Sequence, residues 1–154
     1  ILIALYFVVP FDHLVVGVGL GLAMVAAVLP LTVRRVRAVL HSERPVLTAA
    51  QAIALLATVL IVGWASVHLS IERSHPEQYQ GLETEVDGLY FPLVTIATVG
   101  FGDVVAVGQW ARGMVALQLV TNLLFLGVAI KLVGWAAHPD GRGVLGEQLR
   151  PPAS

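Results

Sequence analysis

Three stretches of this chain are each long and apolar enough to cross a lipid bilayer, and they limit its possible folds more than any other feature. Residues 14–33 hold no charged side chain, residues 46–70 are interrupted by strongly polar groups only at Gln51 and His68, and residues 112–136 only at Gln118, Asn122 and Lys131. A hydrocarbon core about 30 Å thick is crossed by about 20 helical residues, so each stretch reads as a transmembrane helix. The chain is 57% hydrophobic and 12% charged over 154 residues, more apolar surface than a soluble core of that size hides. Residues 1–9 are also apolar but too short to span. They run into Pro10, Phe11, Asp12 and His13, which read as a loop, and are expected to be the last part of a span that starts before Ile1. The expected fold is an all-α membrane protein with four transmembrane helices, the first truncated.

The loop charges set an orientation. Arg34, Arg35, Arg37 and Arg44 stand against Glu43 alone between the second and third spans, whereas Glu72, Glu77, Glu83, Glu85 and Asp87 stand against Arg73 after the third. By the positive-inside rule the loop 34–45 is cytoplasmic. Residues 10–13 and 71–87 are then external, and the tail 137–154, with Arg142 and Arg150, is cytoplasmic. No charge lies within 14–33, so Arg34, Arg35 and Arg37 read as topology anchors or lipid-headgroup contacts rather than a voltage sensor. Lys131 reads as a residue that snorkels to the interface. One orientation satisfies every loop only if the segment between the third and fourth spans returns to the side it left.

That segment contains an apolar stretch, 87–98, too short to cross, which predicts a re-entrant helix. It is followed by Thr98-Val99-Gly100-Phe101-Gly102-Asp103. Non-helical backbone at membrane depth persists only inside protein or along a water-filled cavity, so this loop faces a pore or protein. Gly100 and Gly102 admit positive φ at low cost, so alternating left- and right-handed residues can turn successive carbonyls toward one axis. Val99 and Phe101 then point away. The carbonyls of Thr98 to Phe101, with the Thr98 hydroxyl at the inner end, form a column able to replace the hydration shell of a monovalent cation. One chain supplies one column and an ion must be surrounded, so about four copies are expected around a common axis, a homotetramer.

Residues 95–103, TIATVGFGD, match the signature of the potassium channel superfamily, and the chain resembles its compact bacterial ion-channel members. The resemblance covers 46–133 well, and the first two helices only in number and hydropathy. Trp110 and Arg112 fall where the family often has a Trp and an Arg at the start of its inner helix. The resemblance implies passive, potassium-selective conduction across the cell membrane, with Thr98, Val99, Gly100, Phe101 and Gly102 binding ions. Asp103, Tyr90, Phe91 and Thr95 would support them. It implies K⁺ as the permeant ion bound by Thr98, Val99, Gly100 and Phe101, no cofactor, lipid and further copies of the chain as partners, and no nucleic acid. It divides the chain into a two-helix segment with its basic loop (1–45), a pore domain (46–136) and a short tail (137–154).

Departures from the family pattern carry their own expectations. Phe101 lacks the hydroxyl that a Tyr would offer, and Tyr90-Phe91 stands where a Trp usually braces the filter, so Tyr90 is expected to hydrogen-bond near Asp103. Val94 replaces a Glu that drives slow inactivation in some relatives. Pro92 is expected to kink or reshape its helix. Asn122 occupies the usual hinge-glycine position, and Gly127 matches a second small position. Gln118, Thr121 and Asn122 lie within about a turn of one another, and they predict either a polar ring in a water-filled cavity or an interhelical hydrogen bond.

Other features read blandly. His13, His41, His68, His75 and His138 have no metal-ligand spacing, and His68 and His75 are expected to be solvated near the outer mouth. The acidic loop would concentrate cations or simply form a solvated turret. Gly17-x-x-x-Gly21 allows close helix contact. With no cysteine, disulfide and thiolate chemistry is excluded. No nucleophile–base pair, phosphate loop or paired intramembrane carboxylate is present, so no enzyme is expected. The competing functions are a weakly selective cation channel, a potassium transporter subunit, whose relatives carry several pore loops per chain, and a nonconducting modulatory subunit.

Overall fold

A computed structural model describes residues 2–8, 14–40, 42 and 44–137. The expectations for residues 10–13, His41, Glu43, His138 and the tail with Arg142 and Arg150 lie outside the described residues. The elements run α1 (Leu2–Tyr6), α2 (Leu14–Leu40), α3 (Pro45–Ser74), β1 (Tyr79–Gln80), α4 (Glu85–Ile96), β2 (Val105–Ala106) and α5 (Gln109–Ala137).

Within α2, α3 and α5 lie three segments long and apolar enough to cross a membrane, Leu14–Arg37, Val46–Ser74 and Gln109–Ala136. All three helices outrun the stretches expected from hydropathy, because helix continues into the interface where charge is tolerated. Thus α2 carries on through Arg34, Arg35 and Arg37, and Pro30 inside it does not break it. Pro45 opens α3 at its first turn, where the missing N–H has no intrahelical partner to lose. At the other end the His75 amide donates to the Ile71 carbonyl at 2.8 Å.

The spine is α3. Of its membrane window 39% is buried, against 11% for α2 and for α5, and the other helices pack on it. Its tightest contact is with α2, at Gly21 and Gly63. A Cβ added to Gly21 would stand 2.6 Å from the Gly63 carbonyl oxygen, and one on Gly63 3.0 Å from that of Gly21, so the two backbones touch because neither residue has a side chain. Gly21, one of the two glycines singled out on α2, thus finds its counterpart on α3.

A capping box starts α4. Thr84 Oγ1 accepts from the Asp87 amide at 3.2 Å, and the Asp87 carboxylate accepts from the Thr84 amide at 2.7 Å. The helix therefore begins two residues before the expected start. It runs unbroken through Pro92, so the expected kink is not a break. The short antiparallel ladder of β1 and β2 pairs Tyr79 with Ala106 and Gln80 with Val105. Chain leading into α4 and chain returning from the following loop are thereby tied together, and α4 with its loop is an excursion that closes where it opened. Val107 and Gly108 both donate to the Gln78 carbonyl, at 2.9 and 3.0 Å, which extends the tie to the start of α5.

Candidate functional site

Backbone conformation in the loop after α4 alternates. Thr98 has φ 57°, Gly100 φ 56° and Gly102 φ 79°, while Val99 and Phe101 between them are not left-handed. At the glycines the requirement is conformational rather than spatial, since an added Cβ would meet nothing within 4 Å. Thr98 is different: a β-branched residue with positive φ costs on the order of 1–2 kcal/mol, so the loop stores strain there. Glycine content pointed to residues 100 and 102, and nothing local pointed to Thr98.

The loop is held from α4. The Ala97, Thr98 and Val99 amides donate to the Leu93, Thr95 and Val94 carbonyls at 3.0, 3.1 and 3.0 Å. Tyr90 donates its hydroxyl to Asp103 Oδ2 at 2.7 Å, the bond expected from the Tyr90-Phe91 pair, and Asp103 Oδ1 takes the Val104 amide at 3.1 Å. That bond to the carboxylate raises the Tyr90 phenol above its ordinary pKa. Thr95 turns its hydroxyl back to the Phe91 carbonyl at 2.7 Å. Phe91 is buried, with its ring 5.1 Å from that of His68 and 5.8 Å from that of Tyr79. Gly81, at φ 81°, lets the Asp103 carbonyl approach so closely that a Cβ there would stand 2.3 Å from its oxygen. Residues 97–103 themselves are exposed, Phe101 at 69%.

Behind this unit lies a buried polar network that hydropathy reading does not foresee. His68 is fully buried, not solvated. Its Nδ1 lies 2.5 Å from the Tyr79 hydroxyl and its Nε2 2.8 Å from Gln118 Oε1. Gln118 Oε1 can only accept, so Nε2 carries the proton and Nδ1 accepts from Tyr79. One turn away Trp64, stacked on His68 with centroids 5.6 Å apart, donates Nε1–H to Thr121 Oγ1 at 3.0 Å. Burial, then Glu72, push the Tyr79 phenol up. α3, β1, α4 and α5 all meet here.

The cavity reading of Gln118 and Thr121 is corrected by these contacts. Both face α3 and make the interhelical hydrogen bonds that were the alternative. Asn122, one turn beyond Gln118, is 8% exposed, and neither atom of its amide has a partner among the described residues. A sequence signal for the network existed: His68 and Gln118 are strongly polar interruptions in two apolar spans, and such groups pair within a membrane. Tyr79, in a loop, carried no signal. Among the described residues no cluster of three His, Cys, Asp or Glu forms a metal site.

Apolar spanning helices around a re-entrant helix and a left-handed, glycine-bearing loop define an integral membrane protein of the channel class. Residues 54–137, more than half the chain, match the family described as ion channel, and the chain belongs to that family. Its resemblance to the potassium channel superfamily stands, and neither the family nor the relatives are enzymes. It is similar to two-pore potassium channel 5 of Arabidopsis thaliana, 33% identical over 76 residues, covering 48% of this chain and 19% of the relative. It is 27% identical over 95 residues to a protein of Rhodopseudomonas palustris provisionally assigned as a potassium channel protein, covering 62% of this chain and 22% of the relative. Two-pore potassium channel 4 of Arabidopsis thaliana is 29% identical over 83 residues, covering 53% and 29%. The chain thus spans less than a third of the length of these relatives. No solved structure matches it.

Proposed function

We propose that this chain is one subunit of a homotetrameric, potassium-selective channel that conducts K⁺ passively across the cell membrane. The observation that carries the reading is the alternation of left-handed residues at Thr98, Gly100 and Gly102 in an exposed loop braced by Tyr90 and Asp103. In such a backbone, successive carbonyls from Thr98 to Phe101 turn to one side and replace the water around a dehydrated K⁺. Val99 and Phe101, at 51% and 69% exposure, then pack against neighbouring subunits, as does part of α5, whose apolar side chains are largely uncovered in one chain. Four copies complete the ring of ligands. Residues 46–136 form the pore domain and residues 1–45 flank it. Segments α1 and α2 complete a four-span subunit, with loop 34–45 and the C-terminus in the cytoplasm as the arginine excess requires. The names of the relatives, all potassium channel proteins, support the choice of ion.

The test is flux from liposomes holding a K⁺ gradient, with Na⁺ as the competitor and Gly100→Ala as the control. Flux selective for K⁺ and lost in the variant supports the reading. Equal Na⁺ flux refutes the selectivity, and flux that survives Gly100→Ala places the ion path elsewhere.

A further inference from the structure

The groove between α2 and α5 has a floor and two walls that no feature of the conduction site uses. Over its inner half two cavities lie end to end, of about 160 and 330 Å³, sharing Thr32 and Val128 as lining residues. The first runs from Val25 and Leu124 over Leu60 of α3. The second is closed by Val36, Lys131, Leu132 and Trp135. The polar groups along the way are accounted for. Thr32 donates to the Val28 carbonyl at 2.7 Å, and Thr121 donates to that of Gln118 at 2.8 Å while accepting from Trp64. From Val25 to Val36 the groove is about 16 Å long, close to half of a hydrocarbon core of roughly 30 Å, which is the depth of one leaflet.

One end of this apolar trough is basic. Lys131 lines it, and Arg35, three residues from Thr32 and so on the same side of α2, stands exposed beside it. Arg34, Arg37 and Arg44 are at the same end. The sequence has a single carboxylate, Glu43, between residues 14 and 71 and none between 104 and 137, so the basic charge there goes largely uncompensated by the protein.

We propose that this groove is a binding site for an anionic phospholipid of the leaflet on the Arg34–Arg44 side, with one acyl chain between α2 and α5 and the phosphate held by Lys131 and Arg35. An apolar channel of one leaflet's depth takes a hydrocarbon chain. A basic rim at headgroup level selects a negative headgroup over a zwitterionic one. Trp135, 38% exposed on the lining, sits where an aromatic ring bridges apolar and wet surroundings. The site does not depend on which ion, if any, the protein conducts.

Trp135 is also the reporter. Of the three tryptophans, Trp64 is fully buried and Trp110 lies at the far end of α5, so the fluorescence difference between the intact protein and Trp135→Phe isolates Trp135. The protein is reconstituted in phosphatidylcholine containing a small fraction of phosphatidylglycerol brominated on its acyl chain, or the same fraction of brominated phosphatidylcholine. The expected result is quenching of Trp135 at about tenfold lower mole fraction for phosphatidylglycerol. Lys131→Gln with Arg35→Gln should bring the two curves together, and Lys131→Arg should keep them apart. Soluble glycerol phosphate should not relieve the quenching. Equal quenching by both lipids in the wild-type protein, a comparison that needs no variant to fold, overturns the proposal. So does a phosphatidylglycerol preference that survives the double variant, or relief by glycerol phosphate, which would mark an anion site without a lipid. No quenching at all overturns it too, and points to a second copy of the chain in the groove.

Discussion

Replacing His68 with phenylalanine keeps a flat ring against Trp64, Tyr79 and Phe91 while deleting two hydrogen bonds, and so isolates the polar part of the buried network. The Tyr79 hydroxyl and the Gln118 carboxamide oxygen, in residues 5% and 1% exposed, lose their partners. An orphaned buried polar group costs about 1–3 kcal/mol, which gives about 2–6 kcal/mol for the pair. Interhelical hydrogen bonds in bilayers average nearer 0.6 and reach about 1.7 kcal/mol, which favours the lower part of that range, about 2–3 kcal/mol. Gln118→Leu strands only the His68 Nε2–H and also removes the carboxamide Nε2, which is unpaired already, so it should cost about 1 kcal/mol or less. In the double variant only Tyr79 is left without a partner. His68→Phe should therefore cost about 1 kcal/mol less in the Gln118→Leu background than in the wild type. Equilibrium unfolding of the four proteins in mixed micelles titrated with a denaturing detergent measures the cycle. Additivity within about 0.5 kcal/mol would refute a direct His68–Gln118 bond.

Gly21→Val should destabilise the packing of α2 on α3 by about 1–3 kcal/mol, because its Cβ alone would stand 2.6 Å from the Gly63 carbonyl, whereas Gly19→Ala, with nothing within 4 Å, should be neutral or slightly stabilising; thermal midpoints in detergent separate the two. Tyr90→Phe removes the brace on Asp103, and potassium flux in liposomes should then decay faster on exposure to low K⁺; an unchanged decay would mean the loop is held without it. For Asp87, burial alone would raise the carboxyl, but hydrogen bonds from the Thr84 hydroxyl and the Thr84 and Glu83 amides bring it below its ordinary 3.8. A depressed folded pKa means that the contribution to α4 is complete above the unfolded value and is lost as pH falls through the folded one. The thermal midpoint of the wild type should therefore drop relative to Asp87→Asn only below about pH 4, and a difference that stays constant from pH 6 to pH 2.5 would contradict the capping role.

What the sequence by itself determined is what a short window of residues can carry. Hydropathy over about 20 residues located the three spans, since the cost of exposing backbone and side chains to lipid is paid locally. Loop charge supplied an orientation, and two glycines separated by one residue after a short apolar stretch marked the loop at 98–103. The Tyr90–Asp103 bond, between neighbours only 13 residues apart, could be expected as well. Tertiary structure decided the rest, where partners lie far apart along the chain. His68 meets Gln118 across 50 residues and Trp64 meets Thr121 across 57, and no local pattern says whether a polar residue in an apolar helix faces another helix or a water-filled cavity. The same limit applies to Gly21 and Gly63, to the ladder of Tyr79 with Ala106, and to the groove that brings Lys131 beside Thr32. Each depends on the rotation of one helix about its axis relative to another, and packing sets that rotation.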